Sequence, residues 1–193
     1  LIFNQDGLAA HSPIDGSIAW EFDWNVPYPH VSMPLTLPSN KILLSLGYGK
    51  GSKMLQVNFK NGKFSAVELW KSNRMKAKFT NLIFHNDHIF GLDDGMFSCI
   101  DIESGRRKWK EGRYGHGQIL LHGNHILVMA ENGDVVLLEA NSEEHVELTR
   151  FAALDGKTWN PPALASEYLL VRNHREAAFY KLPLAKPAKV TAQ

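Results

Sequence analysis

Apolar and polar residues alternate along this chain in short runs, and Gly, Asn or Asp breaks the runs every few positions. That period of two predicts strands joined by tight turns, with helical periodicity nearly absent. One series runs through 81–84, a turn at Asn86-Asp87, 88–92, a turn at Asp94-Gly95, 96–102, a turn at Ser104-Gly105, and 106–110. A second repeats it through 118–121, Gly123-Asn124, 126–130, Asn132-Gly133 and 135–140. Asn-Gly and Asp-Gly supply the positive φ angles of hairpin turns, so consecutive strands should be antiparallel neighbours in a meander.

A longer period overlies the alternation. A turn Gly, an alternating run, a second polar-Gly turn and a Trp return about every 40 residues. The copies are Asp6-Gly7, Asp15-Gly16 and Trp20; Gly51, Asn61-Gly62 and Trp70; and Asp94-Gly95, Ser104-Gly105 and Trp109, with a weaker fourth opening at Asn132-Gly133. Such a repeat means one supersecondary unit stacked many times. A four-stranded meander has two apolar faces and cannot bury both alone; radial stacking buries each against a neighbour. An up-and-down barrel would use the same hairpins but gives no reason for Trp to return once per four strands. The expected fold class is therefore all-β, a β-propeller of four-stranded antiparallel blades. The Trp falls in the outermost strand, where a large ring covers the gap between diverging blades.

The strands divide into the last three of a blade in 1–24, full blades at 33–72, 79–110 and 118–151, and the first three of another in 161–182. The propeller region is thus 1–182, an incomplete ring of three full and two partial blades, with 183–193 a loose tail. Missing blades or a second copy are expected at the open edges. The chain begins Leu1-Ile2-Phe3, inside a strand and without an initiator Met or signal segment, and reads as a fragment or processed piece.

Composition narrows the function classes only a little. The net charge of +1 offers no long-range field for nucleic acid or an anionic membrane, and no apolar run approaches a membrane span. A lone Cys99 cannot form an internal disulfide.

The repeats resemble those of the pyrroloquinoline-quinone-type (PQQ-like) propeller superfamily. That superfamily includes quinoprotein alcohol dehydrogenases and the propeller lipoprotein of the outer-membrane β-barrel assembly machinery. The resemblance is carried by the Asp-Gly turn, the strand ending in Ala or Asp, the Ser-Gly turn and the following Trp, clearest from Asp94-Gly95 to Trp109 and again from Leu8 to Trp20. The stretch from Tyr114-Gly115-His116-Gly117-Gln118 through Gly156-Lys157-Thr158-Trp159-Asn160-Pro161-Pro162 to Arg175-Glu176-Ala177-Ala178 is similar to the C-terminal half of uncharacterised bacterial members. The resemblance implies a non-catalytic scaffold that binds a protein or peptide partner in an extracytoplasmic, periplasmic setting. Its alternative is a PQQ- and Ca²⁺-dependent alcohol or sugar dehydrogenase whose cofactor residues lie outside this chain. A small-molecule or carbohydrate-binding propeller is a further alternative. The family's enzymes place vicinal cysteines against the quinone; Cys99 has no such neighbour, and no cofactor or metal residue carries over.

Several residue groups are of types that carry chemistry. His85-Asn86-Asp87-His88 and His122-Gly123-Asn124-His125 flank hairpin turns in successive blades, so each pair of imidazoles becomes cross-strand neighbours; four could ligate Zn²⁺ or Cu²⁺ only if the turns met. Residues 47–53 mimic a phosphate loop, but the spacing is wrong and no helix follows. The basic run Arg106-Arg107-Lys108-Trp109-Lys110 reads as a solvated, charge-protected edge strand, and Cys99 as a small buried residue. The best location for a site is the pair of inter-blade loops that bring Tyr28 and His30, and Trp159 and Asn160, to one end of the propeller as a ligand or partner surface.

Overall fold

In the computed structural model, which describes residues 1–183, five antiparallel sheets follow one another along the chain. The expected tail, 183–193, lies outside the described residues except for Pro183. The first sheet holds β1 (Ile2–Asn4), β2 (Gly7–His11) and β3 (Ile18–Asp23). The second holds β4 (Leu35–Leu37), β5 (Lys41–Leu46), β6 (Gly51–Lys60) and β7 (Lys63–Ser72). The third holds β8 (Ile83–His85), β9 (His88–Asp93), β10 (Met96–Asp101) and β11 (Arg107–Arg113). The fourth holds β12 (Gln118–His122), β13 (His125–Met129), β14 (Asp134–Glu139) and β15 (Glu147–Ala152), and the fifth β16 (Ala163–Ala165), β17 (Tyr168–Arg172) and β18 (Ala177–Lys181). Every sheet pairs its strands in sequence order, which is the expected meander with its three-, four-, four-, four- and three-stranded division. The ring is not closed.

The turns follow their residues. Asn86 and Asp87 sit at φ 47° and 59°, a hairpin turn that sets His85 opposite His88. His122 faces His125 across Gly123-Asn124 in the same way. Gly51 and Gly133 have φ of 83° and 98°, and a Cβ there would collide with the carbonyl oxygens of Ser72 and Leu154. The repeated Gly therefore serves both the turn and the close approach of the strand that follows.

Alternation places both faces of each inner sheet in a core. Ile42, Leu44 and Leu46 of β5 pack toward Leu8, Trp24 and Phe22, while Leu43 packs the other way with Met54, Ile89 and Ile100. On β9, Phe90 and Leu92 join Phe97, Cys99, Ile126 and Val128 between the third and fourth sheets. Leu127 and Met129 of β13 join Leu169 and Val171 between the fourth and fifth. The result is four apolar layers, one per gap between neighbouring sheets.

The recurring Trp lies in the outermost strand each time, and two of the three gaps it borders are clasped. Trp70 of β7 donates its indole N–H to the Ile102 carbonyl of the third sheet at 3.1 Å and lies against Gly105, where a Cβ would strike the ring. Trp109 of β11 donates to the Asn141 carbonyl of the fourth sheet at 3.1 Å and meets His145 edge-on.

The basic run in β11 departs from the expected solvated edge. Asp93, at the end of β9, has a fully buried side chain that pairs with Lys76, with Arg107 at 3.0 Å and with Lys110 at 2.6 Å. Lys108 reaches Glu143 of the next sheet at 3.3 Å. In a stacked sheet even the outermost strand turns alternate residues into the gaps, so a charge there needs a partner and not merely water.

Candidate functional site: an aromatic and cationic loop end

In a meander, the turns between second and third strands and the links between sheets gather at one end, and the remaining turns at the other. The first end therefore collects the β5–β6, β9–β10 and β13–β14 turns with links 24–34, 73–82, 114–117 and 153–162. Each link carries an aromatic or imidazole ring: Tyr28, Phe79, His116 and Trp159.

These rings and nearby lysines form one continuous series of contacts. Lys50 lies over Tyr28 at 5.2 Å, and Tyr28 stacks on Tyr48 of the β5–β6 turn at 4.9 Å. Lys78 lies over Tyr48 at 4.5 Å and over Phe79 at 5.3 Å. Phe79 stacks on Trp159 at 4.9 Å, and Lys157 caps Trp159 at 3.6 Å. His116 meets Phe79 edge-on at 5.4 Å. Stacked rings and cations held over ring faces are the attractive arrangements of the aromatic quadrupole, each contact contributing about 0.5–1 kcal/mol at exposed sites. Among the described residues none of the three lysines forms an ion pair, so their charge is available to a ligand.

Backbone and buried polar groups hold the series in place. Gln118 donates to the Phe79 carbonyl at 2.6 Å. Glu131 accepts from the His116 N–H at 2.9 Å and from the Trp159 indole N–H at 2.9 Å. Burial alone would raise the Glu131 carboxyl, but these two donors and the charges of His116 and Lys157 hold it below the usual carboxylate value. A cavity of about 620 Å³ opens beside it, lined by Arg113, Tyr114, Glu131, Asn132 and Lys157.

Tyr28 and Trp159, read from the sequence as parts of one loop surface, are thus joined, though only through Tyr48, Lys78 and Phe79. His30 turns aside: its Nδ1 lies 2.8 Å from the Tyr28 carbonyl, its ring meets Phe3 at 4.5 Å, and its Nε2 is buried without a partner among the described residues. A cavity of about 450 Å³ adjoins His30, Tyr28 and Phe3. Asn160 also turns aside, its amide oxygen accepting from the Arg172 guanidinium at 3.2 and 3.3 Å. Tyr48, Lys78 and Phe79 are not among the residues the sequence singles out for the surface; a ring in every link is a signal for Phe79 alone.

The remaining candidates have structural surroundings. The β5–β6 loop is a tight turn with Tyr48 and Gly49 at φ 57° and 74°. Asn86 engages both of its flanking imidazoles, and no group of three or more His, Cys, Asp or Glu able to hold a metal occurs among the described residues. Cys99 is buried, which pushes its thiol up to about 12, far from a nucleophile or quinone partner.

No family model and no curated protein matches this sequence. Solved structures do. The Cps50 (Swd1) β-propeller domain of Myceliophteria thermophila superposes with a TM-score of 0.60 at 13% identity, covering 90% of this chain and 63% of that one. The fold is a β-propeller. Its blades also match BamB from Moraxella catarrhalis, with a TM-score of 0.51 and 14% identity over 85% of this chain and 63% of that one. The computationally designed Ika8 protein matches with a TM-score of 0.58 and 13% identity over 86% of this chain. This chain spans half the length of Ika8. No helix among the described residues is long and apolar enough to cross a membrane.

Proposed function

We propose that this chain is part of a non-catalytic scaffold, a propeller of the PQQ-like class, whose inter-blade loop end holds an acidic protein or peptide segment. The observation that carries the reading is the series from Lys50 to Lys157, in which four rings and three lysines, none of them in an ion pair among the described residues, cross the links and turns of one end. Rigid aromatics lose little entropy on binding, and lysines held over rings present charge in fixed places; both suit a peptide partner. The PQQ-like placement rests on the Asp-Gly, Ser-Gly and Trp repeat, and the partner-binding role agrees with what that resemblance implies.

The test is fluorescence anisotropy with a labelled Glu-rich peptide. Saturable binding that weakens with salt is expected, falling tenfold or more in a Tyr28→Ala, Trp159→Ala double variant. Binding that ignores this variant, or no binding at low salt, overturns the reading. Adding pyrroloquinoline quinone and Ca²⁺ provides the contrary outcome: a quinone absorbance change followed by dye reduction with alcohols would establish the dehydrogenase alternative instead.

A further inference from the structure

The gap between the first and second blades differs from the next two. Its Trp20 lies in the outermost strand like Trp70 and Trp109, yet its indole N–H makes no hydrogen bond to any described residue, whereas each of the others donates to a carbonyl of the following blade. The cause is the β6–β7 hairpin. Its strands are ten residues each, and the ladder continues unbroken from Leu55–Glu68 to Lys60–Lys63. In the third blade the chain leaves the strand at Asp101, which frees the Ile102 carbonyl for Trp70 and brings Gly105 under that ring. In the second blade the matching stretch stays in the ladder, and the equivalent Gly62 has nothing within 4 Å of its Cβ position.

What remains is a groove of about 300 Å³, whose walls include Trp20, Leu37, Ile42, Val57, Phe59 and Phe64. Phe59 and Phe64 form a ring pair at 4.5 Å and are 64% and 48% exposed. Thr36, Asn40, Lys41 and Asn58 complete the lining; Lys41 is already paired with Glu103 at 2.7 Å, so the unpaired charge beside the groove is not its own. Lys60 and Lys63 close the hairpin beside the two Phe rings, and neither forms an ion pair among the described residues.

The closed gaps show what such a groove takes. Trp70 receives the carbonyl of Ile102, and the next residue, Glu103, pairs with Lys41 at 2.7 Å. Trp109 receives the carbonyl of Asn141, preceded by Ala140 in the core layer and followed two residues later by Glu143, paired with Lys108 at 3.3 Å. In both, a backbone carbonyl, an apolar side chain and a carboxylate arrive together. We propose that the Trp20 groove is a second peptide-binding site, at the end opposite the aromatic loops, which takes an extended acidic segment of a partner protein with an apolar residue next to a carboxylate. The segment gives its carbonyl to the Trp20 indole, its apolar side chain to Phe59, Phe64 and Val57, and its acid to Lys60 and Lys63. The chain's own residues 184–193 carry Lys186 and Lys189 and no acid, so they lack this chemistry. The proposal stands apart from the loop-end reading.

The probe is the acetylated, amidated peptide Asp-Ile-Glu-Ser-Gly, copied from residues 101–105. In ¹H–¹⁵N spectra of the ¹⁵N-labelled protein the five Trp should give five indole N–H signals, and Trp20→Phe assigns one of them. Adding the peptide should shift the Trp20 indole saturably and leave Trp70 and Trp109 in place. A labelled version should bind the Trp20→Phe variant about tenfold more weakly, the loss of one hydrogen bond. Binding should also fall in a Phe59→Ser, Phe64→Ser variant of exposed residues. In the Tyr28→Ala, Trp159→Ala variant the Trp20 indole should still shift over the same peptide concentrations, whatever total binding does, which separates this site from the loop end. A Trp20 signal that does not move, that moves equally with Asn-Ala-Gln-Ser-Gly, or that is already as protected from solvent exchange as Trp70 overturns the proposal.

Discussion

Three cations on one buried carboxylate make Asp93 the most exacting residue of the described structure. Asp93→Asn removes the charge that Lys76, Arg107 and Lys110 share and leaves them partly buried without compensation. The expected loss is about 3 kcal/mol, read from the urea midpoint, with the far-ultraviolet spectrum retained. The residue was not legible beforehand, because Asp93-Asp94-Gly95 reads as a turn and its cations come from 17 residues back and 14 and 17 ahead. Only the stacking of blades brings them together. Glu131 gives a prediction of the other kind. Its folded-state value lies below its unfolded one, so the ionised group stabilises the loop end above about pH 4.5, and that contribution is lost as pH falls through the folded value. Glu131→Gln should flatten the acid limb of the stability curve and leave neutral-to-basic behaviour parallel to the parent.

At the scale of the element, strands and turns were the most legible part of the molecule. A period of two and Gly at positive φ are local properties, and they placed the 18 strands in the right sheets. The aromatic series was less legible: Tyr28 and Trp159 announce themselves beside prolines, whereas Lys78 and Phe79 acquire meaning only when Tyr48 and Trp159 arrive from other blades. The Trp clasp can be tested element by element. Trp70→Phe and Trp109→Phe each keep the ring and lose one indole hydrogen bond, so each should cost about 1 kcal/mol in chemical denaturation. Trp20→Phe, with no such bond among the described residues, should cost only a few tenths.

For the molecule as a whole, the two end blades each expose a face that inner blades bury. On the last, Tyr168 and Phe179 stack at 5.2 Å in the open beside Leu170, with Phe179 67% exposed. On the first, Ile2 is 52% exposed. A stack in which each unit touches only its neighbours is weakest at its ends, so backbone amides of β1 and β18 should exchange with deuterium faster than those of β9 and β13, by mass spectrometry of peptic fragments. Phe179→Glu should lower concentration-dependent self-association in sedimentation without lowering the thermal midpoint by more than a few degrees.

The four apolar layers share no common centre, and this makes the chain a mechanical series circuit. Stretched from its two termini in an optical trap, it should yield in discrete rips, each four-stranded meander releasing about 40 residues or about 14 nm of contour and the three-stranded end sheets less. The terminal meanders should give way at the lowest tension and the Asp93-bearing one at the highest. A single rip for the full length would mean that the blades communicate more strongly than their separate cores imply.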